Sequence, residues 1–161
     1  MKKLLLLVVV LVYSAGTAQA QSAETQALAK RLNQLMRDPA KAKQEVSVVL
    51  TDCHVEQVVR DNDADVKVSK PISVSYGSDQ SGWAAKVANG AFEMKMSFAW
   101  KEVTSITYEP ETEKDGRKHF QLLIKNDNDN SFDMPLFTND EATVRDLVQR
   151  LKKVRQSCGG K

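Results

Sequence analysis

The sequence predicts an α+β domain: a curved antiparallel sheet or β-roll of roughly six to seven strands, closed by a C-terminal helix and preceded by another helix. Apolar residues recur at helical spacing near both ends of the mature chain. Between these segments, apolar and polar residues alternate in short runs, as expected of strands with one buried face. Turns rich in Asp, Asn and Gly separate the runs, which favours an antiparallel sheet.

The N-terminal residues 1–20 have the composition of a secretory signal peptide. Two lysines precede an apolar run over residues 4–12, and Ala-Gln-Ala at 18–20 has the spacing of a signal-peptidase site. The run is about half as long as a membrane-spanning helix, which needs roughly 20 residues. We therefore expect cleavage after Ala20, a periplasmic or secreted location, and no transmembrane segment after processing. The mature chain, residues 21–161, has the length of a single globular domain.

The mature chain is formally neutral. Lys2 and Lys3 lie in the signal segment, and the rest of the chain carries 21 basic and 21 acidic residues. Proteins that bind nucleic acids generally carry a surplus of Lys and Arg, which displaces counterions from the phosphates. We therefore expect no nucleic-acid partner.

The two cysteines of the chain are Cys53 and Cys158. In an oxidising compartment an even number of cysteines favours a disulfide bond. This bond would close a loop of about 100 residues, which the chain-entropy model values at roughly 4–5 kcal/mol. Free thiols, a redox pair and a zinc site are the alternatives. There is no C-x-x-C sequence, and only His54 and His119 could complete a zinc site.

The first helix is predicted over residues 22–37, with Ser22 as its cap and Asp38-Pro39 at its end. Its apolar stripe consists of Leu28, Leu32, Leu35 and Met36. A valine-rich segment, Ser47–Val59, follows and is predicted as one strand. Without a bulge, its odd positions share one face; among these are Val49, Thr51, Cys53, Val55 and Val59.

The middle of the chain predicts two strands separated by a loop. Ile72, Val74 and Tyr76 alternate with polar residues and predict the first strand. Residues 77–90 contain three glycines and predict a loop with one helical turn around Trp83–Val87. The clearest alternation follows and predicts a half-buried strand, with one face formed by Phe92, Met94, Met96, Phe98 and Trp100.

The C-terminal part predicts a kink at Lys101-Glu102, after which residues 103–108 continue the preceding strand. A hairpin of strands is predicted over 120–124 and 132–136. A final helix is predicted over residues 139–157, with Thr138 and Glu141 at the spacing of a capping box. The apolar stripe of this helix consists of Val144, Leu147, Leu151, Val154 and Cys158. In its order of elements the chain resembles the pleckstrin-homology-like architecture, a bent antiparallel sheet with a C-terminal helix at one end. This resemblance implies a fold and no functional residue.

The Phe92–Trp100 face has two interpretations. Such a face usually belongs to the core. Because methionine adapts to varied shapes, the face formed by Phe92, Met94, Met96, Phe98 and Trp100 could also line a site for an apolar, lipid-like ligand.

Features that would indicate catalysis, a metal or a cofactor are weak, and we expect none of the three. The acidic turns over residues 61–65 and 127–131 begin like calcium loops but lack the later glycine and glutamate. Cys53 and His54 are adjacent on a predicted strand, so their side chains would point to opposite faces. No sequence string typical of hydrolases is present.

The sequence therefore predicts an exported non-enzymatic domain, an interaction or envelope-associated module with a protein partner. The alternative is a small carrier that binds an apolar ligand on the inner face of its sheet. A carrier should contain a continuous cavity, whereas an interaction module should be solid inside and expose an apolar patch.

Overall fold

The computed structural model describes residues 23–40, 44–51, 53–62, 64, 70, 72–77, 81–127 and 131–160. Within these residues the fold is α+β, with eight strands in two antiparallel sheets and a helix towards each end. The predicted signal segment over residues 1–20 and the predicted cap at Ser22 lie outside the described residues. None of the described helices has both the length and the apolar character needed to cross a membrane.

Helix α1 spans residues 23–35 and precedes the two sheets. Sheet A has the strand order β1-β2-β5-β4-β3, and sheet B has the order β6-β7-β8. A 3-10 helix, Trp100–Glu102, connects the two sheets. The other elements are β1 Gln44–Thr51, β2 His54–Asp61, β3 Ile72–Gly77, β4 Gly82–Ala88, β5 Ala91–Ala99, β6 Val103–Thr112, β7 Lys118–Asn126, β8 Ser131–Leu136 and α2 Glu141–Ser157.

The predicted continuous strand Ser47–Val59 is wrong, because this segment is a hairpin of β1 and β2. Thr51 pairs with His54, and Cys53 lies in the turn with a φ of 66°. The turn changes which side chains face the core: Val48 is buried, whereas Val49 is 47% exposed. The predicted set of odd positions therefore does not share one face.

The predicted loop over residues 77–90 is also wrong in its central part, which forms β4. β4 pairs with β3 on one side and with β5 on the other. This strand and the division of the Ser47–Val59 segment explain why the fold has more strands than predicted. Gly82 is the first residue of β4 and opposes Gly77, the last residue of β3. Gly90 lies in the turn between β4 and β5. A Cβ atom at Gly82 would collide with the backbone carbonyl oxygen of Tyr76, so this close approach needs glycine.

The strand that the Phe92–Trp100 alternation predicts is confirmed as β5 up to Ala99, but Trp100 belongs to the 3-10 helix. The predicted kink at Lys101-Glu102 coincides with this helix. The chain then enters sheet B, so the prediction that residues 103–108 continue this strand is wrong: β6 is a separate strand in the other sheet. The backbone N–H of Trp100 donates to the carbonyl of Cys53 over 2.9 Å, which holds the connection against the β1–β2 turn.

The predicted hairpin of β7 and β8 and the final helix are both confirmed. The helix cap differs from the prediction, since Asp140 rather than Thr138 accepts hydrogen bonds from the backbone N–H groups of Ala142 and Thr143. Hydrogen bonds from Thr143 and Ala142 hold the pKa of the Asp140 carboxyl below its usual value. Helix α2 packs against β6 and the 3-10 helix, and it buries Val144, Leu147, Val148 and Leu151.

The core lies between one end of sheet A, sheet B and the two helices. Phe98 of β5 is fully buried, with its ring centroid 4.3 Å from that of Phe132 in β8 and 5.8 Å from that of Trp100. Leu28 and Leu32 bring one face of α1 into the same cluster. Phe98 therefore connects sheet A to sheet B at the point where the chain passes from one to the other.

The predicted Cys53–Cys158 disulfide is confirmed. The two Cα atoms lie 5.3 Å apart, within the range that a disulfide requires. The bond links the β1–β2 turn to the residue that follows α2, across 105 positions of sequence.

We expect Phe98→Ala to lower the free energy of unfolding by about 3–5 kcal/mol, because it leaves a cavity where the sheets meet. Met94→Ala, on the same face of β5 but only half-buried, should cost clearly less. Urea denaturation of both variants measures the difference. Equal losses would show that the two ends of β5 are equally well packed.

Replacing both cysteines, Cys53→Ala with Cys158→Ala, should lower the melting temperature. The unfolded chain then regains the freedom of a loop of 105 positions, worth up to roughly 4–5 kcal/mol in the chain-entropy model. Calorimetry measures the shift, and alkylation of the unmodified protein should detect thiols only after reduction. An unchanged melting temperature would contradict a stabilising role for the bond.

Candidate functional site

The candidate site is an uncovered apolar area at the β3 end of sheet A. Residues directly opposite each other in an antiparallel sheet share a face. Met96 of β5 opposes Trp83 of β4, which in turn opposes Tyr76 of β3. In the same way, Met94 opposes Ala85, which opposes Val74. We call this area the open face; its residues are Ile72, Val74, Tyr76, Trp83, Val87, Phe92, Met94 and Met96.

The open face continues the core face of sheet A. Phe98 is two residues from Met96 along β5, so both side chains lie on the same side of the sheet. At Phe98 sheet B covers this side. Towards β3 the cover ends: Ile72 is 50% exposed, Val74 51%, Tyr76 75% and Trp83 40%.

The residues of the predicted ligand face on β5 therefore differ in how deeply they are buried. Phe98 and Trp100 belong to the packed core. Phe92, Met94 and Met96 are half-buried and lie at the margin of the open face. Strands β3 and β4 supply its most exposed side chains.

Trp83 lies on β4, whereas the sequence predicts a loop with one helical turn around Trp83–Val87. The sequence contains a signal for this strand, because the apolar residues Trp83, Ala85 and Val87 occupy every second position between Gly82 and Gly90. Ile72, Val74 and Tyr76 were correctly predicted to lie on a strand. Their exposure depends on how far the cover extends over sheet A, which alternation does not reveal.

The opposite face of sheet A carries ion pairs between β2 and β5. Arg60 of β2 donates to Glu93 of β5 over 2.6 Å, and this hydrogen bond holds the pKa of the Glu93 carboxyl below its usual value. Lys95 lies 3.9 Å from Glu56. On β5, charged side chains therefore lie on one face, and the half-buried apolar side chains of Met94 and Met96 lie on the other.

A concave region lies around His119, near one end of β7, the central strand of sheet B. This cleft has a volume of about 220 Å³. The Nε2 atom of His119 lies 3.4 Å from a carboxylate oxygen of Glu111, and its ring lies 5.4 Å from that of Phe137. None of the described lining residues is Ser, Thr, Cys or Lys. The cleft therefore holds a histidine–carboxylate pair without a neighbouring hydroxyl, thiol or amine nucleophile among those residues.

The other candidate residues are not assembled into a site. His54 lies on β2 in sheet A and His119 on β7 in sheet B, and Cys53 is bound in the disulfide. The acidic turns over 61–65 and 127–131 lie partly outside the described residues. Within the described part of the chain, no group of three or more His, Cys, Asp or Glu residues is placed to hold a metal ion.

The two tryptophans of the chain, Trp83 and Trp100, provide a test of the open face. Trp83 is 40% exposed and Trp100 only 1%. We expect acrylamide to quench part of the fluorescence, and Trp83→Phe to remove that part and leave blue-shifted emission from Trp100. Unchanged quenching in Trp83→Phe would show that Trp83 is not accessible to the solvent.

Comparison of the chain with protein-family models, with curated proteins and with solved structures finds no match. The open face and the chemistry of its residues are therefore the basis on which a function can be inferred.

Proposed function

We propose that this chain is an exported, non-enzymatic binding module that takes a protein partner on the open face. The observation that carries the proposal is the exposure of Ile72, Val74, Tyr76 and Trp83 on one face of a sheet whose other end is packed core. The partner would present an apolar surface of its own.

The physical reason is the free energy of apolar hydration. Removing apolar surface from water contributes about 25 cal/mol per Å². Contiguous apolar patches of more than a few hundred Å² commonly mark interaction sites on soluble proteins. Tyrosine and tryptophan are also enriched where few residues supply most of the binding energy. Tyr76 and Trp83 lie opposite each other on β3 and β4, so a partner could bury both at once.

A protein partner fits the shape of the site better than a small molecule. Pockets for small ligands enclose most of the ligand surface, whereas the open face is an outer part of a sheet. The packed side chains of Phe98 and Trp100 occupy the end where the face would lead into the interior. These observations support an interaction module over a carrier.

A carrier of an apolar ligand is the second candidate. Met94 and Met96 are half-buried beside Trp83. Flexible methionine side chains can enclose apolar molecules of varied shape. A lipid-like chain lying along β4 and β5 would contact these residues.

Export of the chain belongs to the same proposal. The Cys53–Cys158 bond fits an oxidising compartment such as the periplasm or the medium. The composition of residues 1–20 supports cleavage after Ala20. The pleckstrin-homology-like order of elements remains a prediction, since no solved structure matches the chain.

Native mass spectrometry of protein purified from its own host tests the proposal. We expect an added mass in the range of a protein chain but different from the mass of this chain, lost when Tyr76→Ser and Trp83→Ser are combined. Val49→Ser is the matched control, because Val49 is also an exposed apolar strand residue but lies on β1. An added mass of lipid size would favour the carrier. A partner that the double substitution does not release would overturn the role of the open face.

A further inference from the structure

Strand β3 lies at an outer edge of sheet A, where, among the described strands, it pairs only with β4. All six residues of β3 are exposed. An outer strand presents backbone N–H and C=O groups that can pair with another strand. Natural proteins commonly protect such a strand with charged side chains, proline or a covering segment. β3, with the sequence ISVSYG, contains neither a charged residue nor a proline.

The opposite outer strand, β1, is protected at its centre. The side-chain amide of Asn33 in α1 donates to the backbone carbonyl of Val48 over 2.9 Å. Its oxygen accepts from the N–H of Val48 over 2.6 Å. This pair of bonds occupies both backbone groups of Val48, so a further strand could not pair there. The two edges of sheet A therefore differ in their capacity to accept a strand.

The sequence of β3 is self-complementary when one copy is reversed against another. Over residues 72–76 it reads apolar, Ser, Val, Ser, apolar in both directions. We infer that β3 pairs antiparallel with β3 of a second copy of this chain, with Val74 opposite Val74. The inference goes beyond the proposed function, because it concerns the backbone edge of β3 and not the apolar face of the hairpin.

This register satisfies the requirements of a symmetric interface, in which each copy presents the same residues to the other. Ile72 of one copy opposes Tyr76 of the other, an aromatic and β-branched pair of the kind that stabilises sheets. Ser73 opposes Ser75 on the polar face. Because the two-fold axis stands perpendicular to the sheet, both open faces lie on the same side and form one continuous apolar surface.

Charge favours a second copy over a charged foreign strand, and the buried area sets how stable the dimer is. β3 has no charge, so two copies meet without like charges opposed, and a charged foreign strand would find no opposite charge on it. A stable interface buries roughly 1,000 Å² or more in total, and pairing through two six-residue strands buries less than most. The side chain of Tyr76, 75% exposed, adds area by lying against Ile72 of the second copy. We therefore expect a weak dimer, whose fraction rises with protein concentration.

Sedimentation equilibrium of the mature, disulfide-bonded chain tests the inference. The unmodified protein should form dimers as its concentration rises. Val74→Lys places two like charges together at the two-fold axis and should abolish the dimer. Val49→Lys is the matched control, since Val49 is 47% exposed and Val74 51%, but Val49 lies on the protected edge. It should leave the dimer unchanged. Circular dichroism checks that both variants are folded.

The register has its own test. Mixing Val74→Lys with Val74→Glu should restore a dimer, because opposite charges then meet at the axis. Val74→Cys should crosslink to itself on mild oxidation, since opposed Cα atoms in such a pair lie about 4.5–5.5 Å apart. Ile72→Cys should not crosslink, because Ile72 opposes Tyr76. Crosslinking of Ile72→Cys instead would overturn this register.

The remaining outcomes separate this inference from the proposed function. A protein that stays monomeric at all concentrations, or a dimer that survives Val74→Lys, overturns the pairing of two β3 strands. The protein could be monomeric on its own and still copurify with a protein of different mass. If Tyr76→Ser combined with Trp83→Ser releases that protein, the open face binds it and the proposed function stands. If the dimer forms and the double substitution releases no other partner, the pairing stands and binding of another protein by the open face is overturned.

Discussion

The structure depends on the mismatch between the apolar face of sheet A and the elements that cover it. This face extends over five strands, whereas sheet B and the helices pack against only one end of it. Phe98 marks the boundary, because its ring contacts Phe132 of sheet B while Met96, two residues earlier, is half-buried. Since each Å² of apolar surface left in water costs about 25 cal/mol, the uncovered part is unfavourable for an isolated monomer unless another molecule covers it.

The disulfide strengthens the covered end and leaves the open end to the sheet alone. Cys53 lies in the β1–β2 turn and also accepts the hydrogen bond from Trp100, so the bond, the turn and the connection between the sheets meet at one place. The β3–β4 hairpin is joined to the fold through the pairing of β4 with β5. Regions with few buried contacts open locally at lower free energy than the core. The surface that we propose for binding is therefore also the part of sheet A best able to adjust its shape.

Periodicity was sufficient to predict the elements whose pattern is long and regular. The apolar stripe of α2 and the alternation in β5 each extend over many residues, and both elements were predicted at nearly their observed bounds. The disulfide was predictable because the chain has only two cysteines and one of them continues the α2 stripe. The turn at Cys53 was missed, since valines flank it on both sides and a two-residue reversal needs no glycine when Cys53 itself adopts a positive φ.

The candidate site was only partly predictable, for a different physical reason. Alternation identifies which side chains share a face, as it did for Ile72, Val74 and Tyr76. It does not indicate whether another element covers that face, because cover depends on the lengths and packing of segments distant in sequence. Trp83 illustrates the limit. Its exposure follows from the position of β4 in the sheet, which no local pattern specifies.

The composition of β5 matches this change from covered to open surface. Its inward residues run from Phe92, Met94 and Met96 at the open end, two of them methionines, to Phe98 at the core. Aromatic rings fix a core through their geometry, as in the edge-to-face contact of Phe98 with Trp100. Methionine is flexible and adapts to the shape of whatever packs against it. One strand thus provides a rigid anchor at the end that holds the fold together and an adaptable surface at the end where we propose that a partner binds.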